Sequence, residues 1–123
     1  MDYDLIKNKS PIEIVTDPEN IFLNTYIHYF IMEAPFTEKD VIDYKKIHSA
    51  YMLLVRIFME YGQEIKIDLD KKYYEDAVKK KMIKHKFLRP IWKAECMNKV
   101  AYGCSLAEAI CKLSIILKFN LEV

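Results

Sequence analysis

The sequence predicts an all-α fold, a compact bundle of about five helices around a buried central helix, with room for a minor two-stranded β element. Three observations predict it. Gly (2) and Pro (4) are scarce, which argues against a sandwich or barrel punctuated by tight turns. Apolar residues recur at helical spacing along several stretches. Helix-start signals precede most of those stretches. With 52% apolar and 30% charged residues over 123 positions, the chain fills one core, and residues 1–123 read as a single helical domain.

Residues 1–16 carry one short apolar cluster, Ile12-Glu13-Ile14-Val15 after Pro11, and read as an arm or an edge strand. Asp17 as cap, Pro18 in the first turn and Glu19 at the positive dipole end open a first helix. Ile21, Phe22, Thr25, Tyr29 and Met32 continue it, and Pro35 ends it near Glu33.

A second helix opens at Thr37-Glu38-Lys39-Asp40 and ends at Gly62 as its C-cap. Tyr44, Ile47, Tyr51, Leu54, Phe58 and Tyr61 recur at alternating spacings of three and four, and only Arg56 is polar between Ala50 and Met59. A helix apolar on nearly every face is expected to be buried on nearly every face, so this one is placed at the centre. Leu54→Ala or Phe58→Ala is then expected to cost roughly 2–5 kcal/mol.

Residues 64–69 alternate with period two but have only Ile12–Val15 as a candidate partner, so an extended linker is preferred to a strand. A third helix runs from residue 68 or 70 to 86, with Tyr74, Val78 and Met82 on one side and lysines on the other. Pro90 opens a fourth helix to Tyr102, with Gly103 past its end. Ser105-Leu106-Ala107-Glu108 is a capping box for a fifth, and the short Gly103-Cys104-Ser105 turn pairs the last two as a helical hairpin.

Several function classes are disfavoured. Two glycines leave no Gly-rich phosphate loop. The chain has no apolar run of about 18 residues to span a membrane. Its acidic start, Met1-Asp2-Tyr3-Asp4, lacks the pattern of a signal peptide, so a cytoplasmic location without membrane partners is expected. Cys96, Cys104 and Cys111 show no C-x-x-C spacing and read as reduced thiols. Cys104 precedes a helix start but has no base tied to it, and His28, His48 and His85 are scattered. Asp68, Asp70, Glu75 and Asp76 lack the calcium-loop pattern and suit helix starts instead. No catalytic residue, cofactor or metal site is therefore expected, and the protein does not read as an enzyme.

Charge is uneven despite a net value of +1: residues 70–100 hold ten bases against four acids, whereas residues 1–36 hold two against six. Lys72, Lys79, Lys80, Lys84, Lys86, Arg89 and Lys93, with Phe87 and Trp92 among them, form the basic stretch. It reads as a solvated helix face, as a surface for nucleic-acid phosphates, or as a dock for an acidic protein. A helix-turn-helix over residues 96–118 is rejected because its recognition helix would be apolar. Tyr3, Tyr26, Tyr102 and Trp92 are candidate protein-interface residues, since such rings bury much area and keep a polar handle.

Seventeen lysines against two arginines and sixteen isoleucines point to A+T-rich coding, as in a low-GC bacterium, its phages or plasmids, or a large DNA virus. The expected function is a non-catalytic helical protein-interaction module, an adaptor, inhibitor or immunity-type factor of phage or viral type, with homodimerisation open. The alternative is a nucleic-acid-binding module using the basic face of residues 71–93.

Overall fold

The computed structural model describes residues 2–37, 40–85 and 90–123. It is a mixed α/β fold rather than an all-α bundle. The elements are α1 (Asp2–Ile6), α2 (Pro11–Val15), α3 (Leu23–Tyr26) continuing as a π-helical turn (Ile27–Ile31), α4 (Ile47–Tyr61), β1 (Lys66–Asp70), a 3-10 turn (Lys71–Tyr73), α5 (Tyr74–Lys79), β2 (Ile91–Cys96), β3 (Lys99–Gly103) and α6 (Leu106–Phe119). The strands form one antiparallel sheet in the order β1-β2-β3.

The sheet corrects two expectations. Residues 64–69 are not a linker: β1 pairs with β2, placing Leu69 opposite Trp92 and Asp68 opposite Lys93. Residues 90–102 are not a helix but most of a β-hairpin, closed by Met97 and Asn98, both at positive φ (53° and 66°). Two left-handed residues give the primed turn that matches strand twist. The usual Asn-Gly or Asp-Gly signal is missing, and Ala94, Glu95, Met97 and Lys99 favour helix intrinsically. Tertiary pairing overrides that preference, so β3 leads into α6 and the expected helical hairpin does not form.

Residues 1–16 are neither arm nor strand but two short helices. Ser10 and Glu13 make a reciprocal capping box for α2, with Pro11 in its first turn. The helix expected from Asp17 starts later: Asp17 accepts hydrogen bonds from the Glu19 and Ile21 backbone N–H groups and holds a turn before α3. Between 68 and 86 the chain makes a strand, a 3-10 turn and only six residues of α5. Asp70 accepts from the Lys72 N–H and caps the 3-10 turn.

The centre of the core is α6, not α4. Every residue from Ala107 to Leu117 is buried. One side of α6 lies on β2 and β3, and other sides meet α4, α2 and the π-helical turn. Ala94 stands opposite Ala101, and with Gly103 they floor the sheet with small residues beneath α6, flanked by half-buried Trp92. A Cβ on Gly103 would lie 2.6 Å from the Ala109 nitrogen, a backbone approach that only glycine permits. The 3-10 turn and α5 meet the opposite face, where the Tyr73 and Tyr102 rings lie 6.0 Å apart.

Helix α4 starts at Ile47 rather than Thr37 and ends at Gly62 with φ 62°, as expected of a glycine C-cap. Only Ala50, Leu53 and Ile57 of its residues are buried. Leu54 is half-buried and Phe58 exposed, which revises the expected costs of truncating them. Leu113→Ala in α6 should lower unfolding free energy by roughly 2–5 kcal/mol. Phe58→Ala should cost under about 1 kcal/mol, as a surface change. Urea denaturation of both variants checks the pair; equal costs would return α4 to the core.

Candidate functional site

The outward face of α4 is an anomaly on the described surface. Ile47, Tyr51, Met52, Val55, Phe58 and Met59 are between 42% and 75% exposed. At 100° per residue these six occupy one arc of the helix, on the side opposite Ala50, Leu53 and Ile57. No carboxylate, ammonium or guanidinium interrupts that arc; its one polar side chain is the exposed His48. Surface apolar residues are ordinary when scattered, but a contiguous face of six is not. Its position follows from packing, because α6 holds the core and α4 touches it along one narrow stripe.

Among the described residues the candidate lysines do not gather into one free cationic stripe. Lys84 lies 2.5 Å from Glu19, Lys72 lies 3.9 Å from Asp70, and Lys93 lies 3.7 Å from Glu95. Lys72 and Lys93 also sit over the Tyr73 ring, 5.0 and 5.1 Å from its centroid, and Lys80 lies 5.6 Å from that of Tyr102. Lys79 is exposed on α5. Lys86 and Arg89 lie outside the described residues. The Tyr73 hydroxyl donates to Asp68 and holds that carboxyl below its usual range, so acids are woven through this region.

The four aromatic interface candidates divide. Tyr26 and Tyr102 are buried; Tyr26 packs on Phe30 and Phe119 at 4.7 and 6.0 Å, which corrects its placement on the surface. Tyr102 lies against Tyr73, and its backbone N–H donates to the Met82 sulfur at 3.2 Å. Tyr3 is partly buried among Tyr29, Phe30 and Phe36. Trp92 is half-buried in β2. The missed surface residues are those of α4, whose stripe reads in sequence as core. The available signal is excess: an apolar arc wider than one packing contact requires.

A second polar feature is interior. Lys112 is fully buried in α6, 3.6 Å from Glu108 one turn earlier, and donates to the Met82 carbonyl. Glu108 also accepts from the Asn20 side chain and, at 2.5 Å, from the Cys104 backbone N–H. Ser105 Oγ accepts from the Glu108 N–H, so half of the expected capping box forms, while the Glu108 carboxylate serves Cys104 rather than Ser105. Burial pulls the Lys112 ammonium below its usual range, opposed by the Glu108 charge. Asn20 Oδ1, at the edge of the cluster, is buried without a hydrogen-bond partner, and the Glu108–Lys112 pair lies in packed core.

All three cysteines are free. Burial raises the Cys96 thiol, and pushes Cys111 up to about 12 while its Sγ donates to the Tyr44 carbonyl at 3.2 Å. Neither is poised as a nucleophile. His28 is buried beside Tyr29 and Tyr44, His85 lies against Tyr74, and neither is near Cys104 in any hydrogen bond described. Among the described residues no three His, Cys, Asp or Glu side chains gather around a metal position, and no helix is long and apolar enough to cross a membrane. No family model, curated protein or solved structure matches this chain. The functional reading therefore rests on the chemistry of its own surface.

Two predictions follow from the buried groups. Glu108→Ala leaves the Lys112 charge uncompensated and should cost about 3–5 kcal/mol by urea denaturation. Adding Lys112→Met should recover much of that loss, whereas additive losses would show that the two side chains act independently. The Cys111 thiol, raised from 9.0 to about 12, keeps its proton in the fold after the unfolded chain has lost it. Its contribution is therefore full below pH 9 and declines as pH rises from 9 toward 12. The stability difference between the native chain and Cys111→Ala should shrink or reverse over that range; a constant difference would contradict the shift.

Proposed function

We propose that this protein is a non-catalytic protein-interaction module whose docking surface is the outward face of α4. The observation that carries the reading is the exposure of six large apolar side chains on one uncharged helical arc. Leaving such an arc in water forgoes roughly 25 cal/mol per Å2 of apolar surface that a partner would cover. Tyr, Phe and Met are also residue types enriched in interface centres, where charged residues are depleted.

The lysine-rich region supports the alternative of nucleic-acid binding less well. Three of its five described candidate lysines already have a carboxylate partner within 4 Å, which lowers the net positive potential available to phosphates. The Glu108–Lys112 pair, buried in packed core and hydrogen-bonded to three separate stretches of chain, supports a structural use.

Site-specific photo-crosslinking tests the docking reading. A benzophenone side chain at position 55 on α4 should yield protein adducts in producing cells at about ten times the level given by position 75, exposed on α5. Equal, low yields from both positions would remove α4 as the docking surface.

A further inference from the structure

We propose that the outward face of α4 pairs with the same face of a second copy of this chain, the two helices antiparallel about a two-fold axis between Tyr51 and Val55. The inference rests on the docking reading of α4 and names its occupant. Three observations select a second copy.

The first is the spacing of the face about its own midpoint. Ile47, Tyr51, Val55 and Met59 form one row at intervals of four. A two-fold axis that sets Tyr51 against Val55 of the second copy also sets Ile47 against Met59 and His48 against Phe58. An isologous interface requires a self-complementary patch of this kind. Every apolar member of the row meets an apolar member.

The second is area. The two aromatic side chains offer about 150–250 Å2 each and the four others less, so six residues between 42% and 75% exposed present on the order of 600 Å2 per copy. That reaches the top of the range for the largest patch of a typical monomer, about 300–600 Å2. It approaches the roughly 800 Å2 per partner of a standard stable interface.

The third is charge. The row itself carries no ionised side chain, so a copy meets its like without repulsion. The dipoles of two adjacent helices favour the antiparallel arrangement over the parallel one.

Sedimentation velocity of the full chain, from low to high micromolar concentration, tests the pairing. The expected result is a mass of two chains in the upper range. Val55→Glu should weaken association at least about a hundredfold without changing the far-UV spectrum, or the melting temperature at concentrations where both chains are single, because position 55 is exposed in the single chain. Tyr51→Lys should act likewise, and an equal mixture of the two variants should recover the dimer. That recovery is specific to an antiparallel pair, in which residue 55 faces residue 51 of the second copy.

A single-chain mass throughout would overturn the pairing, and so would a dimer that Val55→Glu leaves intact. Bis-ANS fluorescence on the same samples separates this failure from failure of the docking reading. A monomer that binds bis-ANS, and loses that binding in Val55→Glu, keeps α4 as a docking face for another protein while overturning self-association. A monomer whose bis-ANS binding is unchanged by Val55→Glu overturns both.

Discussion

The burial of α6 on all sides is the constraint from which the rest of the arrangement follows. A helix packed between a sheet and other helices has no solvent-facing side to hold bulk or charge. Its neighbours must come close, and its own residues must allow it. Ala107, Ala109, Cys111 and Ser114 supply small side chains on several sides of α6, and Gly103 removes the one Cβ that would strike its backbone. The Ala94–Ala101 pair lowers the sheet beneath it. Close packing of this kind is worth more per residue than loose apolar contact, because dispersion falls off steeply with separation.

That constraint assigns the other elements. Helix α4 is rich in Tyr, Met and Phe, side chains too large to be surrounded on every side by neighbours at that distance. It takes a peripheral position and contacts the core through Ala50, Leu53 and Ile57, with Leu54 and Tyr61 packed beside them. The remainder of its apolar arc has no use inside the single chain. The surface that supports a docking function is thus a by-product of which helix fits the centre.

Local signals were legible where one residue type satisfies a backbone need. Gly62 as the C-cap of α4, Ser105 as the N-cap of α6 and the helical run that follows it can all be read directly, because caps depend on neighbours within one turn. Strands were less legible. The pairing of β1 depends on β2, more than twenty residues away, and the Met97-Asn98 turn lacks the glycine that usually announces a hairpin. The sequence places α4 rather than α6 at the centre because Glu108 and Lys112 make α6 look half-exposed, whereas α4 has almost no charge to mark it as peripheral. Burial was inferred from the absence of charge, but in this fold two charges are buried together and a neutral face is left outside. For the same reason Tyr26 and Tyr102, plausible surface rings in sequence, lie in the core, and the exposed residues of α4 were read as core.

The Glu108–Lys112 pair then has a role that apolar packing cannot fill. A helix apolar around its circumference can rotate or slide with little change in buried area, so burial alone does not set its orientation. Lys112 donates to the Met82 carbonyl beyond α5, and Glu108 accepts from Asn20 before α3 and from Cys104 at the end of the hairpin. These groups come from three separate stretches of chain, and their hydrogen bonds to Glu108 and Lys112 form together in one rotation and register of α6. Desolvating two charges offsets much of their attraction, so the pair contributes little net stability while making every misaligned state costly. Fixing α6 in this way fixes the stripe on which α4 rests, and with it the direction in which Tyr51, Val55 and Met59 point. The buried polar cluster is therefore the interior counterpart of the exposed apolar face: one sets the orientation that the other needs in order to meet a partner in a defined geometry.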